Sequence, residues 1–424
     1  LGALVRSTRN NGRAPFVVAG RLRGGETTIE AVNSQYVTSL LVNSPLADGD
    51  WFVHHKPVPE ETDEWTHFRY DATGNMVSQD TRIAPPRYTQ WISGPRFQRH
   101  HGMIPSITAS VTTGGRIFYM IDEAPNGFVG LPEQWHVVAR DAHNGVLLWR
   151  RKMESWGTDA WSYVNAHHAS RFNHPIHVRK RLIAKDDRVY TTLGFNSNVV
   201  AIDAASGKTV LTYDGTRFAD EIVLQEGVLY VAVNDRRQEP YPGTGVRPEN
   251  PAKLPAPSKK TLHAMDAASG KLLWKAGPFS GNPSKLDRLA SMRHLNLTVG
   301  ASTAVVIDEK QIIGIDCKTG QETWRTKRLM EEGPFPSQDP GDLYHLLANK
   351  NRHTVVYDDG RLFVLHPTDS PAMKHTDEAI VQALDMATGK ELWQYRDAVP
   401  IAYIDWPDLF VIEDTVWVPE KKGM

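Results

Sequence analysis

The chain repeats one short phrase five times, and this repetition limits what it can fold into more than any other feature. The phrase reads RDAHNGVLLW at 140–149, IDAASGKTVL at 202–211, MDAASGKLLW at 265–274, IDCKTGQETW at 315–324 and LDMATGKELW at 384–393. In each copy an apolar run ends at an Asp, crosses a small polar turn and restarts after a Gly. Asp141, Asp203, Asp266, Asp316 and Asp385 are placed to accept hydrogen bonds from the turn amides, which makes them turn formers rather than catalytic acids. Gly145, Gly207, Gly270, Gly320 and Gly389 supply the positive φ that other residues resist. Four copies then place a Trp four residues past the Gly, at Trp149, Trp274, Trp324 and Trp393. A large plate at one repeated position suits packing between sheets better than stacking on a ligand.

The spacing sets the size of the unit. The five Asp residues stand about 50 to 70 residues apart, too far for a helical pair and right for a four-stranded propeller blade with variable loops. Runs of β-branched and aromatic residues fall where such a blade needs strands: 115–122, 187–194, 227–234, 303–308, 360–366 and 414–420. The fold class read from this pattern is all-β, a β-propeller of four-stranded antiparallel blades over residues 61–424. Five turn phrases and a sixth blade opening near 408–420 predict about six visible blades. The expectation is an incomplete ring, closed by further chain or by a partner that removes the exposed sheet edge.

Two stretches break the blade grammar. Residues 1–60 read as an α/β segment with a short helix and apolar strands at 36–42 and 51–54. Residues 236–260 are dense in Pro, Gly and Lys and predict an irregular surface loop.

Composition narrows the function classes. A net charge of −1 without a Lys/Arg run gives no electrostatic footprint for nucleic acid. No apolar stretch approaches the length of a transmembrane segment. The lone Cys317 excludes an internal disulfide and any multi-cysteine metal site.

The D-x-x-[ST]-G-K-x-x-W turn resembles the repeat of the pyrroloquinoline-quinone (PQQ)-type propeller. Quinoprotein alcohol dehydrogenases share that repeat with non-catalytic relatives such as the outer-membrane assembly lipoprotein. The stretch at 63–95 also resembles the opening segment of large bacterial envelope proteins that carry this propeller. The resemblance implies a periplasmic or secreted location. It also implies PQQ with calcium as a cofactor: quinone at the ring centre, beneath a Trp and a disulfide of adjacent cysteines, with calcium held by Glu, Asn and Asp. Cys317, standing alone, departs from that pattern. Within 1–60, LLVNSPLADGDWFV resembles the last strands of a methyltransferase-like segment that precedes some relatives. The glycine-rich cofactor loop of such a domain is absent from the segment, which points to a structural remnant or linker.

Histidine clusters are the other chemical candidates: His54 with His55, His100 and His101 after Arg99, and His167 and His168 followed by His174 and His177. Imidazole binds divalent metals and acts as a base near neutral pH. Convergence of Arg99, His100, His101, His167 and His168 at the pore mouth would suit cleavage of an acidic polysaccharide. Adjacent histidines on a strand point to opposite faces, however, so each pair offers one residue to a shared site. Trp65, Trp91, Trp135, Trp156 and Trp161 lie outside the repeat register and either line a sugar-binding surface or cap the first blade. Two function classes result. One is an envelope scaffold that binds a protein, glycan or small-molecule ligand. The other is an enzyme, either a divergent PQQ-dependent dehydrogenase or a histidine-dependent carbohydrate-active propeller.

Overall fold

Strands such as RIFYMID and VLYVAVN are buried along most of their length, so both of their faces must be covered. LLWRRK and ETWRTK follow the opposite rule: each exposes or half-exposes all but one residue, and the buried one is the Trp. A sheet built of such strands is dry at its middle and wet at its outer edge. Stacking several around an axis satisfies both patterns.

The computed structural model describes residues 4–7, 16–19, 61–82, 88–94, 107–124, 134–154, 176–236, 258–281, 295–308, 311–329, 354–366, 379–398 and 409–418. The chain divides into two compact units, Leu1–Thr62 and Asp63–Met424. In the first, β1 (Leu4–Ser7) and β2 (Phe16–Ala19) form an antiparallel pair. The strands expected at 36–42 and 51–54 lie outside the described residues, as does the interior of the loop expected at 236–260.

The second unit is a β-propeller of four-stranded antiparallel blades. Blade one is β3 (Ile107–Thr113), β4 (Arg116–Asp122), β5 (Trp135–Asp141) and β6 (Leu147–Lys152). Blade two is β7 (Leu182–Lys185), β8 (Arg188–Thr192), β9 (Val199–Asp203) and β10 (Thr209–Thr212). Blade three is β11 (Ala219–Gln225), β12 (Val228–Asn234), β13 (Lys260–Asp266) and β14 (Leu272–Phe279). Blade four is β15 (Thr298–Val299), β16 (Thr303–Asp308), β17 (Gln311–Asp316) and β18 (Glu322–Lys327). Blade five is β19 (Thr354–Asp358), β20 (Arg361–His366), β21 (Ala379–Asp385) and β22 (Glu391–Ala398). In the sixth position stands a two-stranded sheet of β23 (Phe410–Ile412) and β24 (Thr415–Trp417). Sequence order equals sheet order in every blade, and successive first strands touch one another from β3 to β23. The first strand of each blade is therefore innermost.

The larger apolar cores lie between blades, and one small cluster of Tyr119, Ile121 and Val138 lies within blade one. One cluster joins Phe118, Val137 and Trp149 of blade one to Leu182, Val189 and Ile202 of blade two. Equivalent clusters join blades two and three, three and four, four and five, and five and six.

The repeated phrase makes the bend between the third and fourth strands. The Asp carboxylate accepts backbone N–H groups two or three residues on, at 2.7–3.0 Å. The Gly amide donates to the Asp carbonyl at 2.8–2.9 Å, with the Gly φ between 67° and 74°. A Ser or Thr hydroxyl also donates to Asp203, Asp266, Asp316 and Asp385, and this bond holds their carboxyls below the usual range.

Each bend then receives a plate from the preceding blade. Trp149 lies against Gly207, Trp274 against Gly320 and Trp324 against Gly389. Each indole Nε1 donates to the carbonyl of the residue after the turn Asp: Ala204 at 2.9 Å, Cys317 at 2.8 Å and Met386 at 2.9 Å. The second phrase lacks Trp, and two residues divide its task. Leu211 packs on Gly270, while the Tyr213 hydroxyl donates to Ala267 O at 2.6 Å. Trp91 serves blade one, lying on Gly145 and donating to Ala142 O at 2.8 Å. Trp65 and Trp135 are likewise engaged in the protein, Trp65 edge-on to Tyr70 and Trp135 within the first inter-blade core. Trp156 and Trp161 lie outside the described residues.

A pair of substitutions separates strain from packing. A Cβ on Gly207 would come within 2.7 Å of Trp149, whereas one on Gly227, also at positive φ, would meet open space. Backbone strain costs Gly227→Ala about 1–2 kcal/mol. Gly207→Ala adds overpacking of about 1–3 kcal/mol. Urea denaturation of both variants measures the gap, and equal losses would show that the indole does not depend on the bare glycine.

Candidate functional site

The segment DEWTHFRYDATGN turns sharply, and its local chemistry explains why. Tyr70 has a φ of 70° and Gly74 one of 72°. The Asp71 carboxylate accepts from the Thr73 amide at 2.9 Å, and the His67 amide donates to Tyr70 O at 3.0 Å. At the start of the segment Glu64 accepts from Gly114 N at 2.6 Å and from the Thr113 hydroxyl at 2.7 Å, closing the β3–β4 bend.

This short segment binds the innermost strand of every blade in order. Trp65 exchanges bonds with Thr112 of β3, and Ala184 N of β7 donates to Thr66 O. Leu224 N of β11 donates to His67 Nε2 at 3.0 Å. Val299 N of β15 donates to Ala72 O, and Tyr357 N of β19 donates to Thr73 O. The Asn75 side chain bonds Val411 of β23 in both directions, at 2.9 and 3.0 Å. All six contacts fall near the C-terminal ends of the inner strands, so the segment is a strap across one end of the axis.

Behind the strap lies a small recess of about 50 Å³, lined by His67, Arg69, Asp71, Lys180, Glu221 and Asn296 among others. That is room for a few water-sized groups. Glu221 is buried in β11, where its Oε1 accepts from Lys180 Nζ at 2.6 Å and Leu297 N at 3.0 Å. Its Oε2 and the Asn296 Nδ2 have no hydrogen-bond partner among the described residues. Burial raises the Asp71 carboxyl above its ordinary value, against the opposing bonds from Thr73. Next to the recess a deeper network joins Lys260, fully buried, to Asp220 and to Asn234 Oδ1 at 2.6 Å. These groups can hold a small polar molecule by charge and hydrogen bonding. No cluster of three His, Cys, Asp or Glu suited to a metal occurs among the described residues.

His67 sits at the centre of the strap, and the Leu224 amide fixes its tautomer. Because Nε2 accepts, the proton resides on Nδ1, which donates to Thr66 Oγ1 at 2.8 Å. Burial, aided by the Lys185 charge, lowers its pKa to about 3.

Arg99, His100, His101, His167 and His168 lie outside the described residues, as do His54, His55 and His174. The sequence places residues 61–424 in the propeller but does not mark His67, Lys180, Glu221 or Asn296 as site residues. Nothing in their local sequence marks them, since they meet only through the fold.

Residues 258–423 match the family described as Outer membrane protein assembly factor BamB. The solved structures similar to this chain include a europium-containing methanol dehydrogenase, with 11% identity and a TM-score of 0.43, covering 80% of this chain and 59% of that one. They also include BamB from Moraxella catarrhalis, with 13% identity and a TM-score of 0.33, covering 75% and 78%. A separate likeness is short. A stretch of 46 residues is 65% identical to 3-phosphoshikimate 1-carboxyvinyltransferase of Acetivibrio thermocellus, covering 11% of each chain. The chain thus spans about a tenth of the length of the curated relatives it matches.

Two buried histidines give the propeller a pH dependence of definite sign. His67 and His366, each lowered to about 3 mainly by burial, stay neutral in the folded state where an unfolded histidine takes up a proton. Their contribution to stability is complete above pH ~6.5 and declines as pH falls toward about 3, by about 1 kcal/mol per pH unit for each. Urea midpoints at pH 7 and pH 5 should show a smaller drop for His67→Gln, which keeps an acceptor for Leu224 N without titrating. An identical drop would mean that His67 titrates normally in the folded protein.

Proposed function

The propeller carries the pyrroloquinoline-quinone-type repeat, and from that premise we propose that the chain is a non-catalytic binding scaffold of the bacterial envelope. The strap carries this reading. A planar quinone at the ring centre needs an open axis, and the segment from Trp65 to Asn75 crosses one end of it, bonded to all six inner strands.

The donor set behind the strap does not fit the quinone and its calcium. Glu221 and Asn296 come from different blades, as calcium ligands in such a site would, but one Glu221 oxygen already holds the Lys180 ammonium at 2.6 Å. A divalent cation there would face that positive charge at close range. The space of about 50 Å³ is also too small for a fused-ring cofactor. Cys317 lies at the bend of blade four, where its carbonyl receives Trp274, rather than among the residues that line the axis.

The envelope location rests on the likeness of residues 258–423 to an outer membrane assembly factor, and a protein is the ligand class that likeness favours. The stretch shared with carboxyvinyltransferases is close in length to the first unit, which lacks the repeat, and we assign it there. Because the match covers about a tenth of that enzyme, we attach no transferase activity to it.

Titration with PQQ and calcium, followed by tryptophan fluorescence, tests the scaffold reading. No saturable change up to high micromolar quinone is expected. Calcium-dependent quenching that saturates at low micromolar concentration would overturn it.

A further inference from the structure

Two side chains that line the recess behind the strap each keep one polar atom unmatched, and the two atoms are of opposite kinds. Glu221 Oε2 is a charged acceptor and Asn296 Nδ2 is a donor, and neither has a hydrogen-bond partner among the described residues. Glu221 is 1% exposed and Asn296 6%, so bulk solvent does not serve them. A buried polar atom left bare is costly, and most costly where it carries charge.

The fold sets the two side by side. Glu221 stands on β11 and Asn296 just before β15, and the Leu297 amide donates to the other Glu221 oxygen at 3.0 Å. That bond brings the residue before Leu297 onto the carboxylate. Asn296 has a φ of 49°, in the left-handed region that Asn tolerates better than most residues. Leu182, Ile183, Ile222, Val223 and Val355 give the same recess an aliphatic wall.

These features define an occupant. The Lys180 ammonium lies 2.6 Å from Glu221 Oε1, so a cation at Oε2 would face it, and an anion would face the carboxylate. The occupant is therefore uncharged. It donates one hydrogen bond and accepts another from neighbouring atoms. The space of about 50 Å³ holds about four heavy atoms. Water molecules filling it would lie partly against aliphatic side chains, short of the partners each needs.

We propose that the recess is a binding site for a small primary carboxamide. Its N–H donates to Glu221 Oε2, its carbonyl accepts from Asn296 Nδ2, and its alkyl end lies against the aliphatic wall. The scaffold reading rests on the strap crossing the axis, so a failure to bind amides leaves that reading standing.

The probes are four molecules of nearly one shape. Acetamide offers a donor and an acceptor, acetone an acceptor alone, acetate an anion, and acetamidinium donors with a positive charge. Saturation-transfer NMR on the methyl resonance of each, with the purified full chain, reads binding. Acetamide should bind saturably in the millimolar range, as suits so few heavy atoms, and about tenfold more tightly than the other three. Asn296→Gly keeps the positive φ while removing the carboxamide, and should weaken acetamide about tenfold. Glu221→Gln turns the unmatched acceptor into a donor and should invert the order, with acetate above acetamide. Circular dichroism checks that both variants fold, and Asn296→Gly alone decides the matter if Glu221→Gln does not. Three results would overturn the proposal. They are no saturable acetamide signal at high millimolar concentration, a control that binds the wild type as tightly as acetamide, or acetamide binding unchanged by Asn296→Gly.

Discussion

The innermost strand of each blade is a sheet edge, and its main-chain groups facing the axis need partners. A buried amide without one costs about as much as a lost hydrogen bond, and a propeller has this problem once per blade. The strap answers it six times within a dozen residues, with carbonyls for β3, β7, β15 and β19, an imidazole for β11 and a carboxamide for β23. The sharp turns at Tyr70 and Gly74 follow from this task, because an extended strand could not present acceptors in so many directions. The low pKa of His67 belongs to the same setting: burial, aided by the Lys185 charge, disfavours the imidazolium.

At the rim the blades are held by a different interaction, the indole on a bare glycine. Blade two shows what that interaction requires. Where Trp is replaced by Leu211, the apolar filler stays in place and the lost N–H is supplied by the Tyr213 hydroxyl two residues on. Filling and hydrogen bonding are therefore separable, and both are met at every covered bend. Burying a bend carbonyl beneath an apolar plate without a donor would cost about 1–3 kcal/mol, comparable to what the plate's burial contributes. The donor is thus part of the contact rather than an addition to it.

The rim was legible in the sequence and the axis was not. The phrase from Asp to Trp repeats because the same contact repeats, so it could be read without a structure. The strands expected at 115–122, 187–194, 227–234, 303–308 and 360–366 correspond to β4, β8, β12, β16 and β20, which are buried on both faces and carry a dense apolar signal. Two of the inner strands, β11 and β15, carry no such signal. β15 is two residues long, and β11 reads ADEIVLQ with both acids buried, a pattern that argues against a strand until Lys260 and Lys180 are seen to pair them. The recess was illegible for a related reason: Lys180, Glu221 and Asn296 are 41 and 75 positions apart, without any shared spacing or motif.

One segment serves both systems. Residues 63–75 tie the inner strands together, and the same stretch of chain then supplies Trp91 to the outer bend of blade one. Trp91 stands where the fourth strand of a preceding blade would place its plate, although no strand is formed around it among the described residues. Among the described residues an irregular segment thus delivers a plate to a bend, anchored by Gln90 Nε2 on His143 O at 2.6 Å and by the strap.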